Sequence, residues 1–175
     1  MKRVIVVLFL PMFILINGYG QSLNDLDIKN GFRHFKFGTP PSQIKNIVKV
    51  PGLLEYPNAV YYKYVGSDID YVYGIKVDKI ELMFFNNKLC HIMIFFDDCK
   101  ESEYYGLLRV FEEVYGENWV KLTSGSKDEV MLNGASWEGK NVRLDFYRSR
   151  MRGVVGGYIE IFDKKLLTAM YASEF

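Results

Sequence analysis

The densest apolar runs in the chain are residues 80–85 and 89–96, separated by Asn86-Asn87. Both are short, bounded by polar residues and rich in branched and aromatic side chains, so they read as strands rather than buried helices. Asparagine tolerates the positive φ that a two-residue hairpin turn demands, so the two runs form a hairpin. Glu81 and His91 alone interrupt their apolar interior. The pair therefore belongs in the middle of a sheet covered on at least one side.

A 3.6-residue period follows. Tyr104, Leu107, Leu108, Phe111, Val114 and Tyr115 recur at helical spacing and Gly116 closes the run, with Asp98 as expected N-cap and Glu101 at N3 of a capping box. Earlier, Thr39-Pro40 reads as a helix entry, and Ile44, Ile47 and Val48 share a face before Pro51-Gly52. Residues 21–30 are polar and read as a loose lead-in. In 31–38 Phe35 and Phe37 fall on one face of a short strand or arm. In 59–65 Val60, Tyr62 and Tyr64 oppose Tyr61 and Lys63, and in 71–77 the odd positions are apolar. Strands resume at 119–122, 129–132, 135–138, 142–148 and 158–162, and 163–170 suits one or two helical turns. Within 142–148, Val142, Leu144 and Phe146 point inward, while Arg143, Asp145 and Tyr147 point out.

The order is helix, strands, helix, strands, and the halves 39–96 and 98–162 share that layout. This predicts an α+β domain: an antiparallel sheet of about six or more strands with two helices packed on one face. A parallel doubly wound fold needs a helix after nearly every strand, and there are too few.

The N-terminus has a separate logic. Lys2-Arg3 precedes an apolar run, residues 4–16, broken only by Pro11, and Gly18 and Gly20 supply small residues before Gln21. These are the parts of a secretory signal peptide, so residues 1–20 are expected to be removed and 21–175 to form one exported domain, periplasmic or secreted. The competing reading is an uncleaved anchor. At 1.5 Å per residue the run spans about 20 Å, short of the roughly 30 Å hydrocarbon core.

Charge and composition narrow the function classes. The chain has 175 residues, net charge +1, 25% charged and 49% hydrophobic residues, which excludes a disordered or multi-span membrane protein. The neutral balance removes the case for nucleic-acid binding. Cys90 and Cys99 are the two cysteines. If 89–96 is one strand, Cys90 lies about 20 Å from its far end, and three more residues reach back at most about 11 Å. A disulfide needs Cα atoms within roughly 7 Å, so the thiols are expected free.

No catalytic, metal or cofactor motif stands out. His91 has no orienting partner nearby in sequence. Asp25-x-Asp27 and Asp68-x-Asp70 begin like calcium loops but lack the ligand at position 5 and the glycine at position 6. The one basic concentration is Lys140, Arg143, Arg148, Arg150 and Arg152. Arg148, Arg150 and Arg152 alternate, which suggests a hairpin end presenting guanidiniums to an anion, or a solvated loop that blocks strand pairing. The chain holds 13 Tyr, 13 Phe and 2 Trp. Most fall on the inferred core face, leaving Tyr61, Tyr147 and Trp119 as candidate contact residues.

Phe35-Lys36-Phe37-Gly38-Thr39, the hairpin sequence Phe85-Asn86-Asn87-Lys88-Leu89, Val114-Tyr115-Gly116 and Trp137-Glu138-Gly139-Lys140 resemble stretches of small exported bacterial proteins of unknown function. The resemblance implies an α+β periplasmic or secreted domain and transfers no catalytic residue. Two functions follow as expectations. The first is a binding module of the cell envelope recognising a protein, a glycan or an anionic ligand through Lys140, Arg143, Tyr147, Arg148, Arg150, Arg152 and Tyr61. The second is a small envelope hydrolase whose acid/base pair is assembled from distant segments, with Glu81, Asp145 and His91 as candidates.

Overall fold

The computed structural model describes residues 22–51, 56–123, 129–151 and 154–173. The expected leader and Arg152 lie outside them. In chain order the elements are α1 (Leu23–Lys29), β1 (Gly31–Phe32), β2 (Phe35–Lys36), β3 (Ile47–Val50), β4 (Ala59–Tyr64), β5 (Tyr71–Val72), β6 (Ile75–Lys76), β7 (Lys79–Phe85) and β8 (Lys88–Asp97). Then come α2 (Glu101–Tyr115), β9 (Val120–Lys121), β10 (Glu129–Glu138), β11 (Val142–Met151), β12 (Val154–Asp163) and α3 (Lys164–Ala172). Eight of these strands make one antiparallel sheet in the order β3-β4-β7-β8-β12-β11-β10-β9. The protein is α+β. Each half is a four-strand meander, and the last strand of one pairs with the last strand of the other, Ile94 opposite Ile159.

The central hairpin forms as its sequence demands. Asn86 and Asn87 take φ of +48° and +62°, the left-handed pair of a type I′ turn. A bulge between Met83 and Phe84 leaves Cys90 as an extra residue on β8. Leu89, Ile92, Ile94 and Phe96 consequently face one side, toward α1 and α2, and Cys90 and Met93 face the other, toward α3. The bulge does not bring the thiols together. Cys90 and Cys99 are both free and buried, and burial raises them to about 12 and about 11.

Helix α2 covers β11. Tyr104 stacks on Phe146 at 4.6 Å, and Phe111 meets Trp137 edge-on at 5.5 Å. Leu107, Leu108 and Phe111 are buried, and each such side chain contributes about 1.5–3 kcal/mol by leaving water. The cap is displaced from its expected place. Asp98 sits at φ +47° in the preceding turn, and the Lys100 N–H donates to Glu103 Oε2 at 2.7 Å. The cap therefore lies two residues later than Asp98 and Glu101.

Three other expectations are corrected. Residues 40–48 are not a helix: after a single 3-10 turn at Pro41–Gln43, Asn46 turns left-handed (φ +58°) and Ile47–Val50 pairs with β4. Branched Ile47, Val48 and Val50 gain more from strand pairing than from a helix that short. Residues 71–77 are not one strand, because Tyr73-Gly74 (φ +49° and +83°) folds them into the β5–β6 hairpin. Ile75 is buried as expected, but Val72 is buried with it while Tyr71 and Tyr73 are exposed. Residues 129–132 and 135–138 are one bulged strand, β10.

The expected loose lead-in is also ordered. Its residues form α1, whose Leu26 is fully buried. Asp27 accepts backbone N–H bonds from Lys140 (2.8 Å), Asn141 (2.7 Å) and Val142 (2.8 Å) across the β10–β11 turn. The two helices sharing a face are thus α1 and α2, and α3 covers the opposite face. Asp27→Ala is expected to lower unfolding free energy by about 2–3 kcal/mol, since three donors lose a charged acceptor. Asp27→Asn should lose less. Urea unfolding checks this, and an unchanged midpoint for Asp27→Ala would contradict it.

Candidate functional site

Strand alternation divides the basic residues picked out in the sequence. The expected hairpin end is present: Arg148 and Arg150 belong to the last four residues of β11, which pairs with β12 up to Met151 opposite Val154. Arg143 and Tyr147 lie on its α3 face. The Arg143 Nε donates to Asp145 Oδ1 and its Nη2 lies by Oδ2, both at 2.8 Å. Tyr147 stacks on Tyr158 at 5.1 Å. Arg148 lies on the other face, where its Nε donates to the Cys99 carbonyl at 2.7 Å. Arg150 is exposed beyond it, opposite Val130 and Val155. Lys140 is exposed in the turn held by Asp27. Tyr61 is buried among Met83, Phe85, Cys90, Met93 and Met170, and burial pushes its hydroxyl up to about 12. The described members of this set do not converge on one surface.

The α3 face holds a groove of ≈ 570 Å³ that does bring His91 and Asp145 to one place, with Arg143, Glu138, Glu160 and Lys164 around them. Its polar groups largely answer one another. The Ser136 hydroxyl donates to Asp145 Oδ1 at 2.6 Å, and Lys164 pairs with Glu138 at 2.6 Å. Glu81 is paired with Lys79 at 2.7 Å. The His91 ring lies against Phe162 at 4.5 Å, with its Nε2 3.9 Å from Glu160 Oε1 and without a hydrogen-bond partner. Burial lowers its pKa to about 3. Such an imidazole is neutral at physiological pH but is a weak base, far from the poise that general-base chemistry favours.

The opposite face carries a different cavity, ≈ 510 Å³. It opens where α2 over β11, the β1–β2 arm over β12 and the β5–β6 hairpin over β8 leave sheet uncovered between them. The floor is Leu144, Ile159 and Ile161, each 1–2% exposed and so almost wholly covered by neighbouring core side chains. Phe111 and Val114 of α2 form one wall, and Phe32 and Val72 belong to the other elements around the opening. Lys29, Arg33 and Lys36 stand at the mouth, and no carboxylate lines the cavity among the described residues.

Each of those cations donates to a neutral oxygen. Lys29 Nζ reaches the Tyr115 hydroxyl at 3.4 Å and lies 4.8 Å from that ring's centre. Lys36 Nζ donates to the Lys29 carbonyl at 2.6 Å. Arg33 spans from the arm to the next segment, donating to the carbonyls of Asp68 and Tyr71 at 2.9 Å each. Burial lowers the Lys29 pKa, with Asp25 opposing the shift. Gly31, at φ +133°, closes the arm: a Cβ there would lie 2.1 Å from the Phe35 carbonyl oxygen.

Sequence reasoning missed this site because its cations sit in the segment read as a lead-in and arm. The available signal was Lys29, Arg33 and Lys36 at three- and four-residue spacing beside Phe32 and Phe35. No helix among the described residues is long and apolar enough to cross a membrane. Comparison with known proteins finds no family model, no curated protein and no solved structure that matches this chain.

The lowered pKa of His91 has a sign that can be tested. Above its unfolded value near 6.5 the imidazole is neutral in both states and costs nothing. As pH falls from about 6.5 toward 3, the unfolded chain binds a proton that the folded one refuses, so stability falls by about 1.4 kcal/mol per pH unit. His91→Gln should flatten that slope, and the His91 ring should show no NMR titration between pH 5 and 8. A ring titrating near 6.5 would contradict the account.

Proposed function

We propose that the protein is an exported binding module that takes an anionic ligand in the cavity between α2 and the β1–β2 arm. One observation carries the reading: a half-open, largely apolar hollow whose mouth holds three cations and which no carboxylate lines among the described residues. Ligand sites are typically apolar hollows of about 300–1,000 Å³ with a few convergent polar groups, and this cavity falls within that range. Lys29 is already desolvated in part, and a charged acceptor binds such cations more strongly than the neutral oxygens they now use. Arg33 ties the arm to the segment leading into β5, so the mouth has a fixed shape before any ligand arrives.

A pair of fluorescent probes separates charge from apolar burial: anionic 8-anilinonaphthalene-1-sulfonate and neutral N-phenyl-1-naphthylamine. The sulfonate should bind one site, and Lys29→Gln with Lys36→Gln should weaken it about tenfold or more while leaving the neutral probe nearly unchanged. Equal response of both probes to the double substitution would overturn the anionic reading.

Export rests on residues 1–20 acting as a leader. Mass spectrometry of the protein isolated from its native cells should find Gln21 at the N-terminus. Retention of Met1 on cytosolic protein would contradict this part of the proposal.

A further inference from the structure

We infer that the α3 face carries a site for a soft monovalent metal ion, copper(I), held by the His91 imidazole and the thioethers of Met83, Met93 and Met170. The site lies on the opposite side of the sheet from the anion cavity and does not rest on that reading.

Strand register gathers these residues. Met83 and His91 are direct partners across β7 and β8. Met93 lies two residues beyond His91 on β8 and packs with Met83 in one buried cluster, which Met170 joins from α3. All four side chains line the α3-face groove. Direct cross-strand partners have Cβ atoms about 4.5–5.5 Å apart, close enough for one ion to bridge their ends. An ion needs no channel, only donor atoms that meet, and the rotatable bonds of methionine let its sulfur adjust to one. Five methionines follow residue 20, and three of them are in this cluster.

Packing alone accounts for the methionines but not for the histidine. Methionine fills irregular core space without any ligand. The His91 Nε2 atom, by contrast, is buried without a hydrogen-bond partner and stands 3.9 Å from Glu160 Oε1. A buried polar atom left so carries a desolvation penalty that a bound ion removes. The neutral imidazole is also the form that ligates metal.

The donor set decides the metal. Among the described residues no group of three His, Cys, Asp or Glu is placed to hold an ion, which removes the usual zinc and calcium sets. Thioether sulfur favours copper(I), and imidazole is compatible with it. These ligands are neutral, so only one positive charge needs an answer inside the protein. Glu160, the cross-strand partner of Met93, brings a carboxylate to that place.

Competition with bicinchoninate for copper(I), run without oxygen and with ascorbate, tests the inference. The protein should withdraw one copper(I) per chain. Silver(I), a redox-inert substitute, should shift the methyl NMR signals of Met83, Met93 and Met170 and the His91 ring signals, and leave Met131 unmoved. Met83→Leu with Met93→Leu conserves core volume and should weaken copper(I) binding at least tenfold, as should His91→Gln. Cooperative urea unfolding of each variant shows that it folds. Copper(I) left wholly on the chelator would overturn the inference. Unchanged affinity in the double variant would overturn thioether ligation, and loss confined to Cys90→Ser would overturn it in favour of the thiol. Zinc(II) shifting the same signals at the same concentration would overturn the assignment to a soft ion.

Discussion

The arrangement depends on one carboxylate. Asp27 accepts three backbone N–H groups from residues 113–115 positions further along the chain. Those donors sit where β10 turns into β11, and without side-chain obstruction at Gly139 the carboxylate approaches closely: a Cβ there would lie 2.8 Å from Asp27 Oδ1. The contact fixes α1 against the sheet, and α1 carries the chain directly into the β1–β2 arm. Lys29 ends that helix and Lys36 ends the hairpin that follows. The cationic mouth of the cavity is therefore placed by a hydrogen-bonded clamp two residues before the end of a seven-residue helix.

The two faces of the sheet meet their polar groups in different ways. On the α3 face, Arg143, Asp145 and Ser136 form a closed set, Lys164 pairs with Glu138, and His91 is held neutral by burial. Charges that satisfy one another leave little to offer a ligand. On the α2 face the cations at the cavity mouth donate hydrogen bonds to neutral oxygens, with the Asp25 and Asp68 carboxylates acting on Lys29 and Arg33 from further off. The contrast is why the second face carries the functional reading, although the first contains the more familiar catalytic residue types.

Much of the architecture was legible from periodicity. The Asn86-Asn87 turn, the apolar pair around it, helix α2 and the inward set Val142, Leu144 and Phe146 all follow from local patterns reinforced by packing. The misreadings have one physical origin. Segments of about ten residues or fewer are decided by tertiary partners rather than by their own propensity. Residues 47–50 became a strand because β4 offered an edge, and 23–29 became a helix because Leu26 and Asp27 found distant partners. The site was less legible still. Its floor comes from β11 and β12 and its mouth from residues 29–36, a juxtaposition that no local pattern encodes. The basic cluster misled for a related reason: Arg143 and Arg148 are an odd number of residues apart on one strand and so point to opposite sides of the sheet.

The most direct test is a crystal structure of the protein grown with 8-anilinonaphthalene-1-sulfonate. The account predicts the sulfonate within about 3.2 Å of Lys29 Nζ or Lys36 Nζ. A sulfonate bound at Arg150, or a mouth left empty beside saturating probe, would contradict it.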